Sequence, residues 1–467
     1  MKETSLFDSL LEEPQKPSGP VTCLGMTFEN DEARRAHFTE ELRKKLQDPE
    51  FRKIEGFPIG SDEDILNLSD PPYYTACPNP WIADFIAEWE AQKPEQPEGY
   101  HYHREPFAAD VSEGKYDPLY KMHPYHTKVP HKAIMRYLLR YTQPGDIVFD
   151  GFCGTGMTGV ASQLCGDRDE VISLGYQVKP DGIILQEEID ENGKKVWREF
   201  SKLGPRWTIQ NDLSPAATFI AYNYNSPINS SAFEKEAKRI IREVEKECGW
   251  MYETIHSDGR KGKINYIVWS DVFVCPECAN EIVFWHEAVD INGGKVLDEF
   301  SCSHCKAALN KRSLDRAWST IYDESLNDSI RQAKQVPVLI NYSVGTTRCQ
   351  KEPDQSDLIK IEKILKMPLA KWHPTDRMIE GRETRRNDPN GITHVHHFYY
   401  KSTLASLATY RSKASSSIYW NILSAVAFRI NKRYGLTYQA GVWGAGGGPT
   451  SGTLYLPSLV KDLNVIQ

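Results

Sequence analysis

The chain lacks an excess of basic residues, and it lacks any long hydrophobic run. It carries 56 Lys and Arg against 64 Asp and Glu, which gives a net charge of −8 over 467 residues. A protein that binds nucleic acid through its bulk charge is therefore excluded, and any such binding must depend on local basic patches. The most apolar stretch, Ile418–Ile430, contains Asn421 and Arg429 and is shorter than the roughly 18 residues that span a bilayer. We therefore expect no membrane segment.

Cysteine is too scarce for a disulfide-bonded scaffold, since the chain has 10 Cys in 467 residues. Met1–Thr4 is polar and carries no apolar signal core, so we expect a reducing, cytoplasmic location. Hydrophobic residues make up 40% and charged residues 26%, which excludes a disordered or collagen-like chain. The length favours about three domains.

Residues 130–215 have the pattern of an α/β unit. A helix is predicted at His131–Arg140, followed by the apolar strand Asp146–Asp150 and a Gly-rich turn into a second helix. Another strand is predicted at Trp207–Gln210, and Ser214-Pro215 after it is a typical helix start. The residues between, 171–206, predict an inserted β-ribbon.

Two further helices are predicted on either side of this unit. Residues Glu32–Leu46 have an amphipathic helical pattern. A capping box at Ser231 and Glu234 predicts the start of the other helix, and Gly249 predicts its end.

The segment Asp150–Met157 is a glycine loop between a strand and a helix. Glycines let the backbone approach a ligand closely, and a helix N-terminus favours polar or anionic groups. No Lys-Ser/Thr pair follows, so the loop is not a P-loop, and the displacement of the third glycine to Gly159 makes a poor dinucleotide fingerprint. A tight turn that binds nothing is the alternative.

The flanks of this loop resemble the DNA amino-methyltransferases, which methylate N6 of adenine or N4 of cytosine with S-adenosylmethionine. His123–Pro130 is similar to the family's His-Pro-x-x-Lys-Pro element, and it precedes Asp-x-Phe-x-Gly-x-Gly as in the permuted beta class. Gly151 and Met157 stand where the family usually has Pro and Thr. The specific resemblance covers residues 120–225. Over most of its length, the chain resembles large prokaryotic adenine-specific methylases with a zinc-ribbon insertion in its general organisation only.

The resemblance implies S-adenosylmethionine as the cofactor. The residues that it places at the cofactor are Lys128, Asp150, Gly151, Phe152, Gly154, Gly156 and Asp212. Asp212 is the candidate for the ribose hydroxyls, although it lies 62 residues after Asp150 where about 20 is usual in nucleotide folds. The inserted ribbon accounts for the excess. An exposed acid before a helix is the alternative interpretation of Asp212.

A second motif matches the catalytic signature of the same enzymes, and its members are Asp70, Pro71, Pro72 and Tyr73. An Asp side chain and a backbone carbonyl can each accept one N–H of the target amine, which turns the nitrogen lone pair toward the methyl donor. Proline fixes the carbonyl, and the aromatic ring stacks on a base flipped out of double-stranded DNA. The resemblance therefore implies DNA as the partner.

The position of this motif leaves two alternatives open. Only 50 residues separate Tyr73 from His123, and Asp64–Ser69 makes a mediocre buried strand. The motif is then either catalytic or a proline turn. We also expect that the chain could lack a downstream catalytic element beyond Val465–Gln467 and work with a missing C-terminal portion or a partner subunit.

Two Cys-x-x-Cys pairs predict a zinc ribbon. The four residues are Cys275, Cys278, Cys302 and Cys305, with 23 residues between the pairs. Four thiolates satisfy tetrahedral Zn²⁺ and leave no open position, so the site is structural. Strands are predicted between the pairs at Glu281–Trp285 and Val296–Phe300.

Three other features have a simple and a functional interpretation. Cys153, inside the glycine loop, is predicted to be a packing residue rather than a nucleophile. His394 and His396 alternate as on one strand face, which permits a metal but is commoner in a hydrogen-bonded pair. The basic stretch Arg377–Arg386 is a solvated loop or a phosphate contact.

The predicted fold class is α/β, a doubly wound Rossmann-like methyltransferase sheet with the β-ribbon and the zinc ribbon inserted. The predicted domains are residues 1–115, 116–262, 263–312 and 313–467, the last in contact with substrate. The predicted function is methylation of an exocyclic base amine in DNA, with N6-adenine favoured over N4-cytosine. The alternatives are a catalytically incomplete cofactor- or DNA-binding subunit of a split methyltransferase, and methylation of RNA.

Overall fold

A computed structural model describes residues 19–93, 98–449 and 452–466, and the chain divides into two compact units, Met1–Phe233 and Glu234–Gln467. Met1–Thr4, Gln467 and part of the predicted N-terminal region 1–115 lie outside the described residues. Across the described ranges, no helix combines the length and the apolar character that a membrane span needs.

Unit one contains short strands and mostly short helices. Its strands are β1 (Val21–Cys23), β2 (Met26–Phe28), β3 (Ile147–Asp150), β4 (Gln177–Val178), β5 (Ile183–Ile189), β6 (Lys195–Lys202) and β7 (Trp207–Gln210). Its helices are α1 (Asp31–Leu46), α2 (Pro49–Arg52), α3 (Asp62–Leu68), α4 (Ile82–Ala91), α5 (Pro118–Lys121), α6 (His131–Tyr141), α7 (Met157–Leu164), α8 (Arg168–Ser173) and α9 (Pro215–Asn225).

Strands β3 and β7 pair in parallel, from Ile147 opposite Trp207 to Asp150 opposite Gln210. Because parallel strands end at the same sheet edge, the glycine loop after β3 and the turn after β7 lie side by side. Helix α7 follows β3, and α9 follows β7 after the cap at Ser214, whose hydroxyl accepts from Ala217 N at 3.4 Å. The predicted strand–loop–helix units are therefore confirmed.

The predicted ribbon is present as the antiparallel sheet β4-β5-β6. It is packed against α6, α7 and α8, where apolar side chains from these helices and from β4 and β5 form one core. The buried members of that core are Met135, Leu138, Leu139, Ala161, Cys165, Val171, Leu174, Tyr176, Val178 and Ile184. This core fixes the β3–α7 segment that carries the glycine loop.

Unit two contains a larger sheet and several hairpins. Its strands are β8 (Glu253–Ile255), β9 (Lys261–Val274), β10 (Glu281–Val283), β11 (Val289–Asp290), β12 (Lys295–Val296), β13 (Glu299–Ser301), β14 (Ala308–Asn310), β15 (Asp315–Arg316), β16 (Trp318–Asp323), β17 (Asp328–Ala333), β18 (Gln335–Val344), β19 (Thr347–Lys351), β20 (Tyr438–Gln439), β21 (Val442–Trp443) and β22 (Leu459–Leu463). Its helices are α10 (Ser230–Cys248, which begins just before the unit boundary), α11 (Phe284–Ala288), α12 (Gln355–Lys366), α13 (Arg382–Arg385), α14 (Lys401–Lys413) and α15 (Ser417–Arg429).

The long strand β9 is the centre of a seven-stranded sheet in unit two. It pairs with β8, β10, β15, β18 and β22, and each of these pairings is antiparallel. Most of its residues from Ile264 to Phe273 are buried, so the strand is covered on both faces.

The mixed α/β class is confirmed, but the doubly wound sheet is not. Within the described part of unit one, β3 pairs with β7 alone, and the largest sheet of the molecule is antiparallel and lies in unit two. The strand–loop–helix pattern that predicts a parallel sheet at β3 and β7 is local, so it does not indicate how many strands the sheet contains.

Several local predictions were wrong. The residues before Asp70, a mediocre strand by sequence, form helix α3, which was not predicted and which Ser61 caps by accepting from Asp64 N at 3.2 Å. Helix α10 is capped by Asn229, which accepts from Ala232 N at 2.9 Å, and not by Ser231. Residues Phe284–Ala288 are helical, so the predicted strand Glu281–Trp285 ends at Val283.

Candidate active site

The glycine loop turns sharply between β3 and α7. Gly154 and Gly156 have φ of +53° and +75°, a region that favours glycine because it has no Cβ. Cys153 N donates to Asn211 O at 2.9 Å and Gly154 N donates to Asp212 Oδ2 at 3.0 Å. The loop is therefore tied to the end of β7.

The displaced third glycine has a packing role. A Cβ on Gly159 would lie 1.8 Å from Gln210 Nε2 and 2.4 Å from Asn225 Oδ1. A Cβ on Gly156 would lie 2.6 Å from Gln210 Oε1. Helix α7 can approach β7 and α9 this closely only with glycine at both positions, which is the helix–strand role of the third glycine in nucleotide loops.

Two carboxylates lie at the ends of the paired strands. Asp150 accepts from Phe152 N at 3.2 Å and from Thr158 Oγ1 at 2.5 Å. Asp212 accepts from Gly154 N and, at 2.9 Å, from Ser214 N. Both side chains are partly exposed, and each carboxylate has about four lone-pair sites, so both can still accept ligand hydroxyls.

The surroundings of these carboxylates have features that a nucleoside ligand requires. The side chains of Phe152 and Leu213 are 81% and 71% exposed, and they flank the loop and Asp212. The Thr155 hydroxyl is buried without a hydrogen-bond partner. Apolar surface for an aromatic ring, a free hydroxyl and an accessible carboxylate therefore lie around one turn.

The His123–Pro130 segment also reaches the loop. The Tyr125 ring lies against Gly154, 3.4 Å from the position of a Cβ there. Burial and the charge of Asp212 raise the pKa of Tyr125, so its hydroxyl is a neutral donor. Lys128 Nζ donates to the carbonyls of His123, at 2.7 Å, and Tyr120, which closes this segment on itself.

The Asp70–Tyr73 motif forms a tight turn next to helix α9. The backbones of Asp70 and Tyr74 exchange hydrogen bonds of 2.9 and 3.0 Å. The Tyr74 ring is stacked on Tyr222 at 4.7 Å, and Tyr222 Oη donates to Asp70 Oδ2 at 2.5 Å. Burial and the charge of Asp70 raise the pKa of Tyr222, so the phenol keeps its proton. Asn79 Nδ2 donates to the Pro72 carbonyl at 2.8 Å.

Arg34 occupies the two acceptors of this motif. Its Nη1 donates to Asp70 Oδ1 at 2.9 Å and to the Pro71 carbonyl at 2.7 Å. The guanidinium carbon lies 4.8 Å from the centroid of the Tyr73 ring, and the Arg34 side chain is 2% exposed. Tyr73 itself is 50% exposed. The motif is thus formed, with a cation of the same chain at its centre.

One helix positions all three motifs. From α9, Tyr222 contacts Asp70, Tyr224 Oη accepts from His123 N at 2.9 Å, and Asn225 Nδ2 donates to Gly156 O at 3.1 Å. Four residues of this site were not predicted from the sequence, because their partners are distant in the chain: Arg34, Tyr222, Tyr224 and Asn225. The closely spaced polar and aromatic side chains of Tyr222-Asn223-Tyr224-Asn225 were the available signal.

The four predicted cysteine ligands come together in unit two. The Sγ atoms of Cys275 and Cys305 are 3.8 Å apart, and those of Cys278 and Cys302 are 3.9 Å apart. Tetrahedral zinc with Zn–S of about 2.3 Å places its sulfurs about 3.8 Å apart. Each Cys-x-x-Cys turn is followed directly by a residue with positive φ, Ala279 after the first turn and Lys306 after the second. These residues fit a tetrahedral metal ion.

The histidines form a different cluster from the one predicted. Val395–Phe398 is a 3₁₀ helix, so His394 and His396 do not share a strand face. Instead Asp323 Oδ2 lies 2.8 Å from His396 Nε2 and 2.9 Å from His397 Nε2, all in a buried position. Thr393 N donates to His397 Nδ1 at 3.2 Å, so His397 carries its proton on Nε2 and donates it to Asp323. Asp323, His396 and His397 therefore form a buried hydrogen-bonded cluster, here called the Asp323 node.

Cys153 and the basic stretch Arg377–Arg386 each agree with the simpler of their two interpretations, a packing residue and a surface loop. Burial, with the charges of Asp212 and Asp150, raises the pKa of Cys153 to about 12, so the thiol is protonated and packs in the loop. Arg377 and Arg385 form ion pairs with Asp388, and Arg386 with Glu383.

Comparison with known families gives one match. Residues 29–188, about a third of the chain, match the family model described as DNA methylase, of the N6 and N4 type. The match includes the Asp70–Tyr73 motif, the His123–Pro130 segment and the glycine loop. It supports a DNA methylase activity on adenine N6 or cytosine N4. No curated protein and no solved structure matches the chain.

Proposed function

We propose that the chain is an S-adenosylmethionine-dependent DNA methyltransferase that methylates an exocyclic base amine, with adenine N6 preferred. The observation that carries this proposal is the arrangement around α9, which holds the glycine loop, the His123–Pro130 segment and the Asp70–Tyr73 motif. The family match spans these three segments, which supports the same conclusion.

The residues around the glycine loop would hold the cofactor. Asp212 would accept the ribose hydroxyls, while Phe152 and Leu213 would contact the adenine ring. The group of cofactor residues is Lys128, Asp150, Gly151, Phe152, Gly154, Gly156 and Asp212, which are the ones predicted from the sequence. The cofactor supplies a sulfonium methyl group.

The Asp70–Tyr73 motif would hold the target base. Asp70 Oδ1 and the Pro71 carbonyl are both acceptors at one point, where Arg34 Nη1 reaches both. Two such acceptors would take the two N–H groups of a base amine and orient its lone pair, which is mainly a positioning effect. Tyr73 would stack on the flipped base.

The test of this proposal is calorimetry with S-adenosylmethionine and S-adenosylhomocysteine. We expect wild type to bind both and Asp212→Ala to lose about tenfold or more in affinity, since a charge-assisted hydrogen-bond pair is removed. Asp181→Ala, in the exposed turn of the ribbon, is the matched control and should bind as wild type does. Equal binding by Asp212→Ala would overturn the assignment of that acid, and no binding by wild type would overturn the cofactor.

A second candidate function is a cofactor- or DNA-binding subunit that needs a partner for catalysis. The occupied acceptors of Asp70 and Pro71 favour it, since Arg34 Nη1 lies where a base amine would donate to both of them. Mixed genomic DNA as substrate separates the two candidates. Cofactor binding without any methylation would favour the subunit.

We also propose that the four cysteines bind one structural Zn²⁺. The sulfur spacings of 3.8 and 3.9 Å support this assignment. Four thiolates leave no coordination position for water, so the ion would stabilise the fold rather than take part in methyl transfer.

A further inference from the structure

The contacts of Arg34 reproduce those expected for the target amine. A base amine presents two hydrogens on one planar nitrogen, and Arg34 Nη1 does the same. One of its hydrogen bonds goes to Asp70 Oδ1 at 2.9 Å and the other to Pro71 O at 2.7 Å. These two acceptors are the pair that would orient the amine for methylation.

The guanidinium also covers the stacking surface. It lies 4.8 Å from the centroid of Tyr73, on the ring that would stack on the flipped base. A planar cation over an aromatic face is a favourable contact in its own right. Arg34 therefore contacts both parts of the base position at once, the amine acceptors and the Tyr73 ring.

The other edge of Arg34 is held by a residue outside the motif. Asp31 Oδ1 accepts from Arg34 Nε at 3.1 Å and from Nη2 at 2.6 Å, and the Asp31 side chain is 54% exposed. Asp31 lies in the first turn of α1, three residues before Arg34. The ion pair between Asp31 and Arg34, here called the latch, holds Arg34 in place and does not involve Asp70.

Asp70 would keep partners if Arg34 left. Arg35 Nε lies 3.1 Å from Asp70 Oδ1, and Tyr222 Oη donates to Oδ2 at 2.5 Å. Displacement of Arg34 by a neutral amine therefore does not leave a buried carboxylate without a cation.

We propose that Arg34 is an internal competitor of the target base, which closes the base position until a flipped base displaces it. This inference rests on the proposed function, because it takes the Asp70–Tyr73 motif as the base site. It makes Arg34 a residue that sets how readily DNA enters the site. A bound base must form better contacts than the guanidinium does.

The test uses Arg34→Met, which keeps the length of the side chain and removes the donors. We titrate the full chain with 9-methyladenine and with 9-methylpurine, which lacks the amine, and follow ligand signals by NMR. Arg34→Met should bind 9-methyladenine about tenfold more tightly than wild type, since two acceptors become available. Binding of 9-methylpurine should change much less. Guanidinium ion at low millimolar concentration should reverse the gain.

Matched variants keep the test decisive. Arg43→Met removes a partly exposed cation of the same helix α1 that pairs with Glu63 and not with Asp70, and should leave 9-methyladenine binding unchanged. Asp31→Asn weakens the latch alone, and should give a smaller gain even where Arg34→Met does not fold. Equal 9-methyladenine binding by folded Arg34→Met and by wild type, or no gain in Asp31→Asn where Arg34→Met is unfolded, would overturn the proposal.

The outcome is separable from that of the proposed function. A gain in amine binding without cofactor binding would support the base position and overturn the methyltransferase. Cofactor binding and methylation by wild type, with a lower kcat and no gain in amine binding in Arg34→Met, would instead make Arg34 a fixed support of Asp70.

Discussion

Asp70 is held by three side chains, which together contact both oxygens of its carboxylate. Arg34 and Arg35 both contact Oδ1, while the Tyr222 phenol donates to Oδ2. Hydrogen bonds that involve an ionised partner are the strong ones. The carboxylate is therefore set in one orientation before any substrate arrives, as positioning of a base amine requires.

This arrangement predicts the effect of removing the carboxylate. Asp70→Ala should lower the rate of DNA methylation about 100-fold or more, the scale seen when one positioned hydrogen-bond partner is lost. Cofactor affinity should stay nearly unchanged, because the residues proposed to bind the cofactor surround the glycine loop. Radiolabelled methyl transfer to mixed genomic DNA and calorimetry measure the two effects. Asp84→Ala, an exposed acid in α4, is the control. Full activity in Asp70→Ala would make Asp70 a turn residue.

The residue types of this site could be predicted from the sequence, but their partners could not. Asp70–Tyr73 is a contiguous motif, and its residue types follow from amine chemistry. Arg34 and Tyr222 lie 36 and 152 residues away from Asp70. Contacts at such separations depend on how the elements pack, and the closely spaced polar and aromatic residues around Tyr222 do not indicate which distant residues they contact.

Helix α7 and strand β7 approach each other through a glycine contact. At Gly159 the nearest atoms to a Cβ position are the side-chain amides of Gln210 and Asn225. The helix gives up some stability there, since glycine is roughly 1 kcal/mol worse than alanine in a helix interior. The close approach brings the glycine loop to the end of β7, where Asp212 lies.

Gly159→Ala should therefore destabilise the chain in spite of its better helix propensity. The added methyl would overlap Gln210 and Asn225, and overpacking costs about 1–3 kcal/mol. Gly60→Ala, with open space around its Cβ position, should be neutral or slightly stabilising. Urea unfolding measures both. A Gly159→Ala variant as stable as Gly60→Ala would show that α7 can shift, and cofactor affinity should then be unchanged as well.

The Asp323 node joins the end of β16 to the 3₁₀ helix Val395–Phe398. Asp323 Oδ1 accepts from Ser325 N at 2.9 Å, and Oδ2 contacts both imidazoles. Burial lowers the pKa of His397 to about 4, against the opposing effect of Asp323. Burial alone would raise the pKa of Asp323, but the hydrogen bonds from His396 and His397 lower it to about 2.

Both shifts predict that the chain loses stability on acidification. Between pH 6.5 and about 4, unfolded His397 binds a proton that the folded form does not, so stability falls as the pH falls through this range. Asp323 adds a further loss between its ordinary pKa of 3.8 and about 2. Two neighbours also face the node: His394, whose pKa burial lowers, and His396.

His397→Gln should flatten this dependence. The loss of unfolding free energy between pH 6.5 and 4.5 should shrink by on the order of 2 kcal/mol relative to wild type. Comparing the two proteins cancels the acid loss of any metal. His103→Gln, on an exposed imidazole, is the control and should follow wild type. Parallel curves for wild type and His397→Gln would contradict the node.

Elements with complete local signals were predicted best. Helices α1 and α6 and strands β3 and β7 follow from periodicity and caps, and each lies within a residue or two of its predicted bounds, while α9 begins at the predicted Pro215. Helix α3 was missed because its seven residues carry little periodicity, and its cap at Ser61 decides the structure. The sheet around β9 was missed because its pairings join segments as distant as Tyr266 and Leu463.

At the scale of the whole molecule, the cysteine cluster is joined to the core of unit two, because two of its four cysteines are buried in that core. Buried Cys275 and Cys302 belong to the same apolar cluster as Val268 and Phe273 of β9, together with Leu459 of β22. Strand β10, which follows the first cysteine turn, and strand β15, which follows the second, pair with the same end of β9. Loss of a metal ion would therefore disturb the largest sheet of the chain.

Zinc removal should consequently act differently on the two units. The chain should purify with about one Zn²⁺, and a strong chelator should lower the thermal stability of unit two, whose core contains two of the ligands. Cofactor binding should persist after mild chelation, because its residues lie in unit one, which is compact on its own. Elemental analysis, thermal unfolding and calorimetry measure the three quantities.

Cys275→Ser with Cys302→Ser should reproduce the apo protein, while Cys349→Ser, outside the cluster, should retain zinc. Full zinc occupancy in the double variant, or its absence from wild type, would remove the site; cofactor binding lost together with zinc would show that the units depend on each other.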